Sequence, residues 1–511
     1  MPRLSKSKLT MAAHCPRKLW LYTHHPALAT ENPQLKRIAE RGTEFGDRCR
    51  TLFPGGILID TLDSDEALRQ TRELMGSMNA SNAKPLYEAA FIYKDVVVRV
   101  DIMTPVANSG ELAWKLIEIK SGNSRETNGR LKHKYILDAA IQHYVVTNCD
   151  IPVLETHLGT PNPHFIYASI DSIDGLLVTE KINSVIDPLL SGIAPLIELA
   201  SPLVDSSHAP AASINSHCSG CDFVKHCTNA ELAPDEQFRV PTWFLASSPN
   251  AVRVQSLMPI SRNLADVPEA KLTAPMHKAM RRIALGEINT YIDPDLRAFL
   301  DKQPPVRWFI DFEFMGSPLP LWQGTSPNQV IPFQFSMHKW QAGSINTVTH
   351  SEFISDTLDD PRPSMIKHLI AAYDESGPVY SWHGKAIEGP ILERLADLVS
   401  GSDRKILLEM ASHCKRDDLL PHFKNHFYTL GMEGWSLKQV AKHFLDPNPY
   451  DILETQNGVD AMNDYEKLIG TQDLEIRAVI KKNLLDYCAV DTYTLIAIWK
   501  KLELTTLETT F

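Results

Sequence analysis

Long apolar runs are scarce in this sequence, and none approaches the roughly 20 residues of a membrane-spanning helix. The opening residues, Met1-Pro2-Arg3-Leu4-Ser5, are basic, but no apolar stretch and cleavage site follow, so no secretory leader is expected. These two absences make the cytoplasm the expected location. Cysteine is sparse: eight in 511 residues do not suggest a disulfide scaffold, and cysteines that cluster in a reducing compartment more often bind metal. The 34 prolines are scattered and form no low-complexity tract, and no repeat has solenoid or propeller spacing. Positive charge is in deficit, with 51 Lys and Arg against 62 Asp and Glu, a net charge of −11. That excludes a passive basic nucleic-acid coat and leaves room for sites built from carboxylates.

The length suffices for two or more cores, and the pattern divides the chain into an α/β region at 1–230, a linker with helical segments at 231–304 and a second α/β region at 305–511. In the first region helices are expected at Ser5–His24, Gln34–Leu52, Tyr135–Thr147 and from about Thr179 to Leu199. Strands are expected within Tyr87–Asp101 and at Leu112–Lys120, Val153–Leu158 and Phe165–Ile170. The linker has a helical piece at Met276–Leu285. In the last region strands are expected at Arg307–Phe314, Ile331–Lys339 and Pro378–Trp382, and helices at Ile387–Leu398, Ser436–Phe444 and Leu484–Leu502.

Asp101 closes the apolar run Val96-Val97-Val98-Arg99-Val100, and Glu118 and Lys120 stand two apart in Leu116-Ile117-Glu118-Ile119-Lys120, so they share a strand face. Two carboxylates and a lysine at strand ends suit phosphodiester hydrolysis, the acids holding Mg²⁺ or Mn²⁺ and the lysine activating water. The plainer alternative is a surface strand with Glu and Lys on its wet face. With Gln142 on the following helix, this set resembles the D…ExK core and glutamine motif of RecB-type PD-(D/E)XK nucleases. Related enzymes sometimes place another acid before the aspartate strand, where Glu88 stands here. RecB-type enzymes usually carry a metal-binding histidine in a Gly-x-x-x-His pattern; here Gly42-Thr43-Glu44-Phe45-Gly46 has glycine in that slot, with Glu44 and Asp47 nearby.

Cys218, Cys221 and Cys227 cluster, and Cys15 lies far upstream. Four thiolates can hold a [4Fe–4S] cluster or Zn²⁺, the latter with His217 or His226 as alternative ligands; buried free thiols are the third reading. One N-terminal and three later cysteines flanking the ExK core resemble the iron–sulfur nucleases of the AddB and CRISPR-exonuclease type. That resemblance implies a cluster that staples the chain ends. Cys49, Cys149, Cys414 and Cys488 are isolated and read as small core residues.

Asp311 and Glu313 share one face of the apolar run Trp308–Phe314, where acids are costly unless they bind something. Tyr487 and Asp491, four apart, share a helix face. Asp-x-Glu on a first strand and Tyr-x-x-x-Asp on a late helix resemble the DEDDy exonucleases of the RNase H-like fold, which implies two metals and a tyrosine that orients water. Glu388 stands where that family places an aspartate, and Asp418 is a further candidate acid or a helix cap. The scattered histidines His338, His383, His413, His422, His426 and His443 read as surface or packing residues. Nearly the full length resembles a bacterial family of undefined function that joins the two nuclease modules. The reading is a metal-dependent nuclease acting on DNA, with RNA as the alternative polymer. A nucleic-acid-binding scaffold with inactive sites is the rival, and no membrane role is expected.

Overall fold

The computed structural model describes residues 4–30, 33–108, 110–126, 128–169, 172–211, 218, 221–229, 263–343, 347–453 and 458–505. The chain is mixed α/β and divides into two compact units. Residues 1–213, 220–231 and 316–329 form the first; residues 214–219, 232–315 and 330–511 form the second.

In the first unit β1 (Leu4–Ser5) leads into α1 (Lys6–His14) and α2 (Pro16–His24), broken at Cys15, whose backbone is extended ahead of Pro16. A residue before proline is pushed out of the helical region, which is why the single predicted helix Ser5–His24 is two. There follow α3 (Pro33–Arg50), β2 (Ile57–Leu58), α4 (Ser64–Gly76), β3 (Leu86–Tyr93), β4 (Val96–Asn108), β5 (Glu111–Ile119), α5 (His133–Thr147), β6 (Val153–Pro161), β7 (Leu177–Lys181), α6 (Asn183–Asp205) and α7 (Val224–Asn229). The sheet order is β2-β3-β4-β5-β6-β7. β3, β4 and β5 form an antiparallel meander, and β6 lies parallel to β5 after the α5 crossover.

β5 pairs with β4 only from Ile102 onward, and β1 fills the vacated edge by pairing in parallel with Val96 and Val97. This short strand brings the start of α1 to the end of β5. Leu4, Leu9, Val98, Val100, Leu116, Ala139, Ile141 and Ile186 belong to one core that α5 and α6 cover.

Three expectations are corrected here. Asp101 does not end its strand, which continues to Asn108 because β5 supplies partners for the second half. The strand expected at Phe165–Ile170 is not formed at residues 165–169, and Ile170 lies outside the described residues; Phe165 and Tyr167 pack in a loop against Ile117 and Leu176. The stretch from Thr179 begins as strand β7, paired with β6, and turns helical only at Asn183. α6 is, by length and composition, the one helix among the described residues that could cross a membrane, although the sequence showed no obvious span. It contains Pro188, Pro195 and Pro202 and buries Ile186, Ile193, Ile197, Ala200 and Val204 in the core of this unit.

The second unit contains α8 (Pro275–Ala284), β8 (Thr290–Ile292), α9 (Pro294–Asp301), β9 (Val306–Met315), β10 (Ile331–Gln341), β11 (Thr347–Ile354), α10 (Arg362–Ala372), β12 (Val379–Tyr380), α11 (Glu388–Ala396), α12 (Gly401–Arg416), α13 (Leu419–His426), β13 (Phe427–Thr429), α14 (Leu437–Phe444), α15 (Gly458–Gly470) and α16 (Leu474–Leu504). Its main sheet runs β11-β10-β9-β12, with β12 parallel to β9 and the other pairs antiparallel; β8 and β13 form a separate ribbon. Residues 264–304, expected as linker, pack into this unit: Leu264, Met276, Met280, Ile283, Leu296 and Leu300 share a core with Phe309, Tyr380 and Trp499. Residues 230–262 lie outside the described residues.

Candidate active sites

The first centre lies where β4, β5, α5 and the start of α1 meet. Glu118 is buried near the end of β5. Gln142 donates its amide to Glu118 Oε2 and, at 3.0 Å, to the Arg99 carbonyl. Lys120 Nζ lies 2.7 Å from both Glu118 Oε1 and Asp138 Oδ2. Asp101 accepts the Ile119 backbone N–H at 2.6 Å. The structure thus brings Asp101, Glu118, Lys120 and Gln142 together.

It also adds residues that sequence pattern had not selected. Lys6 Nζ lies 2.6 Å from Glu118 Oε1, and Thr10, one turn on, donates to Asp138 at 3.1 Å. Lys6 is 112 residues from Glu118 in sequence, and no periodicity marks it. Glu88 is held by Arg50 at 2.8 Å and Arg99 at 3.3 Å. Gly46 has open space about it, with no atom within 4 Å of where a Cβ would stand.

Burial pushes Asp101 up to about 7, aided by the Glu118 charge and opposed by Lys6. Burial acts the same way on Glu118, but the charges and hydrogen bonds of Lys6 and Lys120 outweigh it and hold this carboxyl at about 2. Two ammonium groups therefore face one firmly ionised carboxylate.

Among the cysteines, Cys15, Cys221 and Cys227 belong to the first unit. Cys221 and Cys227 pack beside Trp20, Leu21 and Phe223, and each feels the charge of Cys15. Burial raises both thiols; nearby Lys18 opposes this at Cys221 and Arg17 at Cys227. Cys218 is half-buried, and residues 212–217, His217 among them, lie outside the described residues.

The second centre forms between β9, the start of α11 and the inner face of α16. Asp311 pairs opposite Ser336 and Glu313 opposite Gln334 in the β9–β10 register. Gln334 donates to the Leu484 carbonyl at 2.7 Å, which ties the sheet to α16 one turn before Tyr487. Tyr487, Cys488 and Asp491 are all buried on that helix. Glu388 opens α11 and is 3% exposed; its Oε2 is buried without a hydrogen-bond partner. The loop before it is tight at Gly384, where a Cβ would stand 2.0 Å from the Cys414 carbonyl oxygen.

Burial, then the charges of Asp491, Glu313 and Glu388, push Asp311 well above the ordinary carboxylate range. Burial, then Asp491, raises Glu313 to about 8 against the opposing Lys438 charge. Burial lifts Glu388 to about 7 and Asp491 to about 6. Asp311 and Glu313 thus both stand in the repelling fields of Glu388 and Asp491. Lys438 on α14 donates to Tyr487 Oη at 2.9 Å, and Tyr450 donates to Asp491 Oδ1. Neither Lys438 nor Tyr450 stood out in the sequence, because each reaches the centre from an element with no acidic motif.

Asp418 takes its plainer role: it caps α13 through Leu420 N and accepts Lys385 N, both at 3.1 Å. His338 is bonded to Thr492 and stacked on His350, a packing role. Asp293, Asp295 and His426 also approach one another, but Asp293 is engaged as the cap of α9 and by Tyr291.

A family model described as a domain of unknown function (DUF2779) matches residues 308–436. The chain is similar to that family from β9 to the residue ahead of α14, a stretch holding Asp311, Glu313 and Glu388 but not Tyr487 or Asp491. No curated protein matches the chain.

Proposed function

We propose that the protein is a metal-dependent nuclease whose principal centre is the acid cluster of the second unit, built on an RNase H-like fold of the DEDDy exonuclease type. The observation that carries this reading is the convergence of half-buried Asp311 and buried Glu313, Glu388 and Asp491 on one space with Lys438 and Tyr487 beside them. Four carboxylates gathered this way, one with a buried oxygen that accepts no hydrogen bond, are costly in a protein interior unless cations neutralise them. A hard oxygen donor set of this kind fits Mg²⁺ or Mn²⁺. Asp311, Glu313, Glu388 and Asp491 would hold the ions, which when bound supply Lewis-acid activation of water and charge stabilisation at the phosphate. Tyr487, oriented by Lys438, positions the attacking water, and Tyr450 fixes the Asp491 carboxylate.

The first unit is read as a PD-(D/E)XK fold with Asp101 and Glu118 as metal-holding acids, Lys120 as the cation at the scissile phosphate and Gln142 as the group that orients Glu118. Cys15, Cys218, Cys221 and Cys227 are assigned to a [4Fe–4S] cluster, with Zn²⁺ as the alternative; basic Arg17 and Lys18 beside the thiols suit an anionic cluster. DNA is the proposed substrate, RNA the alternative, and the cytoplasm the proposed location. One observation favours a second reading of this unit, a binding module without cleavage: Lys6 and Lys120 already neutralise Glu118, and Gly46 stands in the histidine slot.

The test is cleavage of end-labelled single- and double-stranded DNA and RNA by anaerobically purified protein, with Mg²⁺, Mn²⁺ or EDTA. Lys120→Ala, Asp311→Ala and the double variant run alongside. Loss of a distinct product ladder in each single variant supports two working centres, and loss in Asp311→Ala alone supports the binding-module reading. Equal products from wild type and the double variant on every substrate would overturn the proposal.

A further inference from the structure

Cys488 does not behave as the small core residue its isolation suggested. It is fully buried, and its Sγ lies 3.6 Å from Asp311 Oδ2 and 3.7 Å from the Asp311 carbonyl oxygen. One ligand atom from each of Asp311, Glu313 and Cys488 falls within 4.8 Å of the other two. The 3.6 Å between Sγ and Oδ2 suits two ligands of a single ion, since metal–sulfur bonds of about 2.3 Å and metal–oxygen bonds of about 2.0–2.2 Å hold ligand atoms no more than about 4.5 Å apart. The helix supports the placement: Cys488 and Asp491, three apart, are neighbours on its surface, and both are buried. A second observation points to a ligand beside these residues. Glu388 Oε2 is buried without a hydrogen-bond partner, and the Glu388 charge acts on both Asp311 and Glu313.

We propose that Cys488, Asp311 and Glu313 form a mixed sulfur–oxygen site that takes a thiophilic divalent ion of the cobalt, zinc or cadmium class. The inference rests on the reading of this centre as a metal site and narrows which ions it selects. A hard ion such as Mg²⁺ would use the carboxylates alone and leave the thiol protonated. A softer ion would bond the sulfur, and the thiol proton would leave to solvent with no change of oxidation state. The centre would then hold zinc or cobalt more tightly than a purely carboxylate site does, and zinc would displace the activating ion.

Cobalt(II) titration of the full chain tests this, comparing wild type, Cys488→Ser, Cys488→Ala and Asp311→Asn by absorbance and by bound equivalents. The other seven cysteines are common to all four proteins, so their signal cancels in difference spectra. The expected result is a sulfur-to-cobalt charge-transfer band in the wild-type-minus-Cys488→Ser and wild-type-minus-Cys488→Ala differences. Zn²⁺ affinity at this centre should fall at least about 10-fold in both Cys488 variants, and Mn²⁺ affinity should stay within about two-fold. Difference spectra without that band, with one cobalt equivalent still lost in Asp311→Asn, would overturn the thiol ligand and leave the metal centre standing. Equal equivalents in wild type and Asp311→Asn would overturn both.

Discussion

Glu118 shows how a single side chain is set by partners from distant parts of the chain. Strand alternation alone placed it on one face with Lys120, and that pairing holds at 2.7 Å. Its other two partners were legible to different degrees. Gln142 was marked by its place on the helix after the strand, whereas Lys6 arrives through β1, a two-residue strand that no periodicity could announce. Gln142→Ala removes the amide from Glu118 Oε2 and should cost about 1–3 kcal/mol of stability; urea denaturation of the folded chain reads this directly. Lys120→Ala should lower cleavage at the first centre about 10²–10⁴-fold while leaving products of the second centre unchanged. Tyr487→Phe should keep metal affinity and reduce turnover at the second centre, which separate binding and rate measurements distinguish.

At the level of elements, the long helix α16 and the strand β9 were visible because acids interrupt strongly apolar patterns; β9 sits where expected, whereas α16 covers the expected Leu484–Leu502 but already begins at Leu474. β11 was not read, since its exposed, polar alternation resembles a loop. The join between β12 and α11 was expected between Trp382 and Ile387, with no sign of how tightly it packs. In the structure Gly384 is pressed against the Cys414 carbonyl, so Gly384→Ala must shift the loop that delivers Glu388. The expected outcome is lower Mn²⁺ affinity at the second centre by calorimetry, with the strands intact by circular dichroism.

The same acids give a pH dependence. Glu313, Glu388 and Asp491 have folded values near 8, 7 and 6, raised above their unfolded ones. Folding then favours the protonated forms, and the stability they contribute is present at acid pH and lost as pH rises toward about 8. Protein kept in EDTA should therefore lose thermal stability between pH 5 and 8, and Mn²⁺ should restore more of it at the alkaline end. A melting temperature that rises with pH in EDTA, with these acids intact, would contradict the placement.

On the scale of the whole molecule, the division into an earlier and a later α/β unit was legible from where the apolar runs and acid motifs fall. The region 264–304 was not, because its helices are short and amphipathic and carry no chemical motif; only the assembled core shows Met280 and Leu300 packed with Trp499. The cysteine assignment also belongs to this scale, since Cys15 and Cys221 are far apart in sequence and only the folded unit brings Cys221 within reach of the Cys15 charge. Cys221→Ala should abolish any visible iron–sulfur absorbance of an anaerobic preparation and lower the stability of the first unit. The central claim is that Asp311, Glu313, Glu388 and Asp491 form a metal-binding active centre, and anomalous diffraction from crystals soaked in Mn²⁺ tests it most directly. The account expects manganese peaks bounded by those four carboxylates, absent in Asp311→Asn. A fully formed acid cluster that stays free of manganese at neutral pH would contradict it.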